Sequence, residues 1–230
     1  ALGAGQFVAA WEEAGRVHAR RLPDGKALQL SKRESGQVTL AAGAGKVYAA
    51  WAEQAGRHRR IVVGTLDAGG DGLGLKAAHP VEARVPTDEQ GWPALAVAGD
   101  GSLTVAWEDR RHRHTVPMVS HSRNGRDFAA PVRLTDHKSG SVDGLGAGTG
   151  AMRPALTPWG GQGVAAVWLD KRDFLSGYDV YAAFDTGARR FGSHVHRDAF
   201  AMPQHAQLLQ YLDALERRHR QGRKAAEEGG

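Results

Sequence analysis

The chain has no cysteine. That absence excludes disulfides, thiolate-ligated zinc, iron–sulfur clusters, thiol nucleophiles and covalent C-x-x-C-H haem attachment. No apolar run approaches the roughly 18–20 residues that a bilayer-crossing helix needs, so no transmembrane helix is expected. The opening ALGAGQFVAAW has neither an initiator methionine nor a basic n-region. No signal peptide is expected within these residues, and the absence has two readings, a targeting segment already removed or a true beginning that lies upstream. A sustained 3.6-residue apolar period is also missing before residue 203, which makes helix a poor account of most of the chain. The composition, 41% hydrophobic and 24% charged, is that of a folded protein and not of a disordered one. The net charge of +5 is spread among acids rather than gathered on one stripe, and no nucleic-acid partner is expected.

What is present is a repeat. FVAAWEE, VYAAWAE, LTVAWED and AAVWLD each end a short apolar run on a tryptophan: Trp11, Trp51, Trp107 and Trp168. The intervals are about 40–60 residues, the length of a small antiparallel sheet. Two positions beyond each indole stands an acid (Glu13, Glu53, Asp109, Asp170), and a base follows (Arg16, Arg57, Arg111, Arg172). Upstream of the last three tryptophans lie Val38–Ala41, Pro93–Val97 and Pro154–Thr157, each joined to the Trp run by a glycine-containing turn. Downstream come third runs at Val17–Leu22, Arg60–Leu66, Thr115–Ser122 and Asp179–Phe184, and a fourth is clearest at Pro131–Thr135. Short β-type runs separated by glycine turns read as hairpins.

Repeated three- and four-stranded antiparallel units predict an all-β fold, a β-propeller of about four recognisable blades. The blades are expected near residues 1–34, 35–88, 89–140 and 150–200, with residues 201–230 forming a C-terminal α-helix and basic tail. Each tryptophan would wedge between neighbouring sheets, and the acid and base beyond it would tie a loop to its own or an adjacent blade. The first unit has no strand before Phe7, so the ring is expected to be incomplete or to be closed by other residues, leaving a sheet edge open to pairing.

The strings Trp107-Glu108-Asp109-Arg110-Arg111 and Trp168-Leu169-Asp170-Lys171-Arg172, with Gly177-Tyr178-Asp179-Val180-Tyr181, resemble the sialidase-like β-propeller superfamily and its bacterial neuraminidase (Asp-box) repeats. The Asp-box, S-x-D-x-G-x-T-W, is intact nowhere: Thr65–Gly69, Ser122–Phe128 and Asp185–Gly187 each keep part of it. The resemblance implies a propeller whose boxes are structural turns. It also implies that a sialidase would need three arginines on the substrate carboxylate, an aspartate acid/base and a Tyr–Glu nucleophile pair. No Arg-Ile-Pro string is present, and Arg60-Ile61-Val62 lacks the proline.

Propeller geometry predicts where a ligand would sit. Loops entering the first strand of each blade bring Gln37, Trp92 and Arg153 to one mouth of the channel. Loops after the Trp strand bring Arg111, His112, Arg113, His114, Arg172, Asp173 and Tyr178. Trp92, Arg111, Arg153, Arg172 and Tyr178 are the ligand-binding candidates, because arginines beside an aromatic suit an anionic glycan or small ligand. Tyr178 and Asp173 are the residues to test for catalysis. No metal site and no cofactor are expected: His112 and His114 have no third ligand placed by the sequence, and GGDGLG at Gly69 is a single copy.

In the tail, Leu208, Leu209, Leu212 and Leu215 share one helical face, followed by Arg217, Arg218, Arg220, Arg223 and Lys224. Leu208, Leu212, Leu215, Arg217 and Arg218 are the candidates for binding another protein subunit, with peripheral attachment to an anionic membrane as the other use of the basic end. The leading expectation is a noncatalytic sialidase-like propeller, periplasmic or extracellular, serving as a binding or scaffold subunit of a larger assembly. The alternative is an exo-sialidase-type glycoside hydrolase acting on an anionic sugar. A propeller that binds calcium or a small ligand without chemistry comes third.

Overall fold

The computed structural model describes Leu2 and residues 5–69, 72–112, 114–135, 150–170, 179–185 and 191. Within them lie fourteen strands in four antiparallel meanders. The first sheet is β1 (Phe7–Glu13), β2 (Arg16–Leu22) and β3 (Leu28–Gln29). The second is β4 (Ser35–Gly43), β5 (Lys46–Ala55), β6 (His58–Asp67) and β7 (Gly74–Pro80). The third is β8 (Gln90–Val97), β9 (Leu103–Asp109), β10 (Val116–Ser122) and β11 (Val132–Arg133). The fourth is β12 (Ala151–Trp159), β13 (Gly163–Asp170) and β14 (Asp179–Asp185).

Strand order follows chain order in every sheet, as short connections require. Two-residue turns make the tightest hairpins. Ala14-Gly15 and Ala44-Gly45 both have positive φ at each residue, the mirror-image turn whose twist matches the flanking strands. Strands such as β5 are apolar on successive residues, not alternate ones, because both faces of a blade are covered by its neighbours: Val47 through Ala52 are all buried.

The core lies between sheets. Trp51 packs with Val17, Ala19 and Leu30 of the first blade. Trp107 packs with Tyr48, Ile61 and Val63 of the second, and Trp168 with Ala106, Val119 and Leu134 of the third. Each indole is thus turned toward the preceding blade, and these three are the largest fully buried side chains. Trp51 can do this because residue 64, diagonal to it on β6, is glycine, where a Cβ would stand 3.0 Å from the indole edge. Trp11 has no preceding sheet among the described residues; it is half-buried and stacks on His18, ring centroids 5.7 Å apart.

β4 packs against β8 and β8 against β12, so the first strands of successive blades line the axis. The fold is therefore a β-propeller, with four blades among the described residues. The C-terminal segment, including Leu208, Leu212, Leu215, Arg217 and Arg218, lies outside the described residues. Among those described, no helix is long and apolar enough to cross a membrane.

Candidate functional site at the channel mouth

The acid two places after each tryptophan has a common task. Each of the four repeat indoles donates its N–H to it: Trp11 to Glu13 at 3.2 Å, Trp51 to Glu53 at 3.4 Å, Trp107 to Asp109 at 3.0 Å and Trp168 to Asp170 at 3.2 Å. A buried indole needs an acceptor, and a residue two positions along the same strand shares its face. The repeated W-x-D/E is thus an internal hydrogen bond of the blade.

In the third blade this bond extends into a clamp. The Arg111 Nε donates to Asp109 at 2.8 Å, its Nη1 to Glu82 at 2.9 Å, and its Nη2 to both carboxylates. Gln90 joins them, donating to Glu82 at 2.6 Å and Asp109 at 3.1 Å and accepting from the Ile61 N–H. Burial alone would raise the Asp109 carboxyl, but the Arg111 bonds outweigh it and hold the group below its ordinary value; the same bonds raise Arg111. All the nitrogens of Arg111 are committed within the protein. Its guanidinium is a tie between the second and third blades, and not a ligand-binding arginine as expected from its loop.

The residue between the Trp and the acid points to the other face, toward the following blade. In the first and third blades it is a glutamate, Glu12 and Glu108, and each accepts a backbone N–H there. The Gln37 N–H donates to Glu12 at 2.5 Å, and the Arg153 N–H to Glu108 at 2.8 Å. At the junction between the second and third blades the Gln37 side chain does the same work, accepting the Trp92 N–H at 2.7 Å.

The three donors are equivalent. Register shifts lie at Gly36/Thr39, Gly91/Ala94 and Met152/Ala155, so each of β4, β8 and β12 carries a bulge. Gln37, Trp92 and Arg153 sit in those bulges with φ of 58°, 51° and 55°. They lie inside the first strands, and not just ahead of them as the sequence suggested; the extra bulge residue keeps the ladder running past them. A left-handed conformation costs a non-glycine residue about 1–2 kcal/mol. Glycine would be the inexpensive choice, yet these positions hold Gln, Trp and Arg. Glycine instead occupies the preceding positions 36 and 91, where a Cβ would stand 2.6 Å from the Glu12 Oε2 and from the Gln37 Oε1 that accepts the Trp92 N–H.

The result is an arc of side chains across four blades: Glu12, Gln37, Trp92, Arg153 and Glu108. It lies at one end of the axis, level with the acids that follow the tryptophans, since Ser35, Gln90 and Ala151 pair with Glu53, Asp109 and Asp170. The Arg153 guanidinium lies over the Trp92 ring, 3.4 Å from its centroid, and its Nε is 3.7 Å from Glu108. Trp92 remains 43% exposed. Among the described residues the Nη atoms of Arg153 have no hydrogen-bond partner. Burial raises the Glu108 carboxyl above its ordinary range, against the opposing pull of the Arg153 N–H, its charge and that of Arg110.

Of the sequence candidates, the structure brings Trp92 and Arg153 together and draws Arg111 away. Arg172, Asp173 and Tyr178 lie outside the described residues. No group of three or more potential metal ligands occurs among the described residues. His112 is lowered by burial and by the charge of Arg133. Glu12 and Glu108 were not singled out by the sequence. Their signal was the Trp-Glu dipeptide at Trp11 and Trp107, which is Trp-Ala and Trp-Leu in the other two units.

No protein family matches the sequence, and no curated protein matches it. Solved structures do match the fold. An α-L-arabinanase from Penicillium chrysogenum, complexed with arabinobiose, aligns with a TM-score of 0.55 at 17% identity, over 84% of this chain and 63% of that one. An α-L-arabinofuranosidase from Fusarium graminearum, in complex with an iminosugar inhibitor, aligns at 0.52 and 14% identity, again over 84% and 63%. Both are propellers, and neither is a sialidase. The chain spans under two thirds of the length of either enzyme.

Proposed function

We propose that this protein is a carbohydrate-active propeller of the glycoside hydrolase class, with its sugar site at the channel mouth. The observation that carries the reading is Glu108, a carboxyl kept protonated to higher pH by burial, beside an exposed tryptophan and an arginine whose terminal nitrogens have no hydrogen-bond partner among the described residues. A carboxyl of this kind is the usual proton donor to a departing glycosidic oxygen. Trp92, 43% exposed, offers the indole face that Arg153 does not cover to the C–H side of a sugar ring. The Arg153 fork suits sugar oxygens, a carboxylate among them. That the two solved structures named above are glycoside hydrolases is consistent with this assignment.

A donor also explains why the third-to-fourth junction carries an acid. Gln37 satisfies an equivalent backbone N–H without charge. Substituting Glu108→Gln should therefore leave the fold intact. It should lower kcat/KM on unactivated oligosaccharides by about 100-fold or more. Nitrophenyl glycosides, whose leaving group needs no proton, should lose far less. Wild-type activity should decline as pH rises through the raised value of Glu108. A panel of arabino-, xylo- and sialo-oligosaccharides read by released reducing sugar checks this; equal losses on both substrate types would remove Glu108 as the donor.

A second reading keeps the site and drops the chemistry: a sugar-binding propeller acting as a subunit of a larger assembly. It is favoured by the commitment of both glutamates to backbone N–H groups. The same panel separates the two, since a binding module would retain affinity in Glu108→Gln and turn over nothing.

A further inference from the structure

We propose that Glu12 is the second reactive carboxylate of this mouth, holding the attacking water on the side of Trp92 opposite Glu108; this rests on the hydrolase reading above.

The argument begins with what the fold requires. Each blade junction must satisfy one backbone N–H from a left-handed bulge residue, at Gln37, Trp92 or Arg153. At the middle junction a neutral amide does so. A carboxylate is therefore not needed for the bond at Glu12, any more than at Glu108. Its charge is exposed at the axis rather than buried in an ion pair, and no cation among the described residues is bridged to it.

Position supplies the rest. Glu12 reaches the bulge of the second blade and Glu108 that of the fourth. Trp92, in the third, lies between them in the arc, linked to one side by Gln37 and to the other by Arg153. A sugar ring resting on the face of Trp92 that Arg153 leaves open would have one carboxyl group on each flank. Carboxyls that stand apart across a sugar, with room for water, are the arrangement of inverting hydrolysis. In that step the water oxygen bonds to the anomeric carbon and yields its proton to the Glu12 carboxylate. The carbon–oxygen bond to the leaving group breaks on the other side. Its electron pair stays on the glycosidic oxygen, which takes the proton of Glu108.

The test is Glu12→Gln in the full chain, assayed beside Glu108→Gln on the same oligosaccharides. Expected is a kcat about 100-fold or more below wild type, with KM changed less than threefold and the thermal midpoint within about 2 °C. Unlike Glu108→Gln, the loss should be equal on nitrophenyl and unactivated substrates, because the attacking water is needed by both. Added azide should restore turnover. A Glu12→Gln variant that keeps kcat within threefold while Glu108→Gln fails would overturn the role of Glu12 and leave the hydrolase reading standing. So would a loss that tracks a lowered midpoint and is not restored by azide. A wild-type protein that cleaves no oligosaccharide would overturn both.

Discussion

One sequence pattern, tryptophan followed two residues later by an acid, has very different energetic weight at its four occurrences. The indole N–H to carboxylate bond is the same in kind, but its surroundings are not. Asp109 is fully buried and shared among Trp107, Arg111 and Gln90, whereas Glu13 is exposed beside a half-buried Trp11. Removing a buried carboxylate that takes an acceptor from the Trp107 N–H, the Gln90 amide and the Arg111 Nε together, with Glu82 left as the only carboxylate on Arg111 among the described residues, costs about 3 kcal/mol or more, while an exposed acceptor is replaced by water at little loss. Asp109→Ala should therefore destabilise by about 3 kcal/mol in urea unfolding, and Glu13→Ala by under about 1 kcal/mol. Comparable losses at the two sites would mean that the clamp adds nothing to the indole bond.

At the scale of the element, left-handed residues occur in two settings with opposite logic. In the hairpins β1–β2 and β4–β5 the turn geometry demands positive φ, and Ala14 and Ala44 meet that demand poorly. Asparagine tolerates the region and is preferred before glycine in this turn. Both positions are exposed, so Ala14→Asn and Ala44→Asn should each raise stability by about 0.5 kcal/mol, read as a shift of the urea midpoint with unchanged slope. In the bulges of β4, β8 and β12 the same strain is borne by Gln37, Trp92 and Arg153, and there it turns three large side chains toward one another. Each of the three also donates its N–H to a side chain across a blade junction, a bond that offsets part of the strain.

Across the whole molecule the two neighbouring glutamate and aspartate groups of β9 set opposing pH dependences. Asp109, held below its ordinary value near 3.8, contributes stability that is present above that value and lost as pH falls through the folded one. Glu108, raised above 4.5 by burial, binds its proton more tightly when folded. Its ionisation therefore weakens the fold as pH rises from about 4.5 through the raised value, and has no effect below. Unfolding midpoints measured from pH 3 to 8 should show Asp109→Asn removing the acid-side fall. Glu108→Gln should remove the decline on the upper side. If Glu108→Gln leaves the curve above pH 5 unchanged, the carboxyl is not raised in the folded protein.

The repeat itself was legible because burial between sheets is written in residue type: four indoles, each at the end of an apolar run and each followed by an acid, can only be reconciled with stacked sheets. The third strands β2, β6, β10 and β14 were visible for the same reason. β7 was not, since an outer strand with partly exposed residues such as Lys76 and His79 has little apolar signal to read. The site was half legible. Trp92 and Arg153 stood out as an aromatic and a cation at loop entrances, but Glu108 was hidden inside W-x-D as the residue between two conspicuous ones. The sheets could be read from residue order, because strand burial depends on local side-chain pattern. Which arginine is clamped and which stacks on Trp92, and which glutamates face the axis, emerged from the packing alone, because those outcomes depend on partners contributed by neighbouring blades far away in the chain.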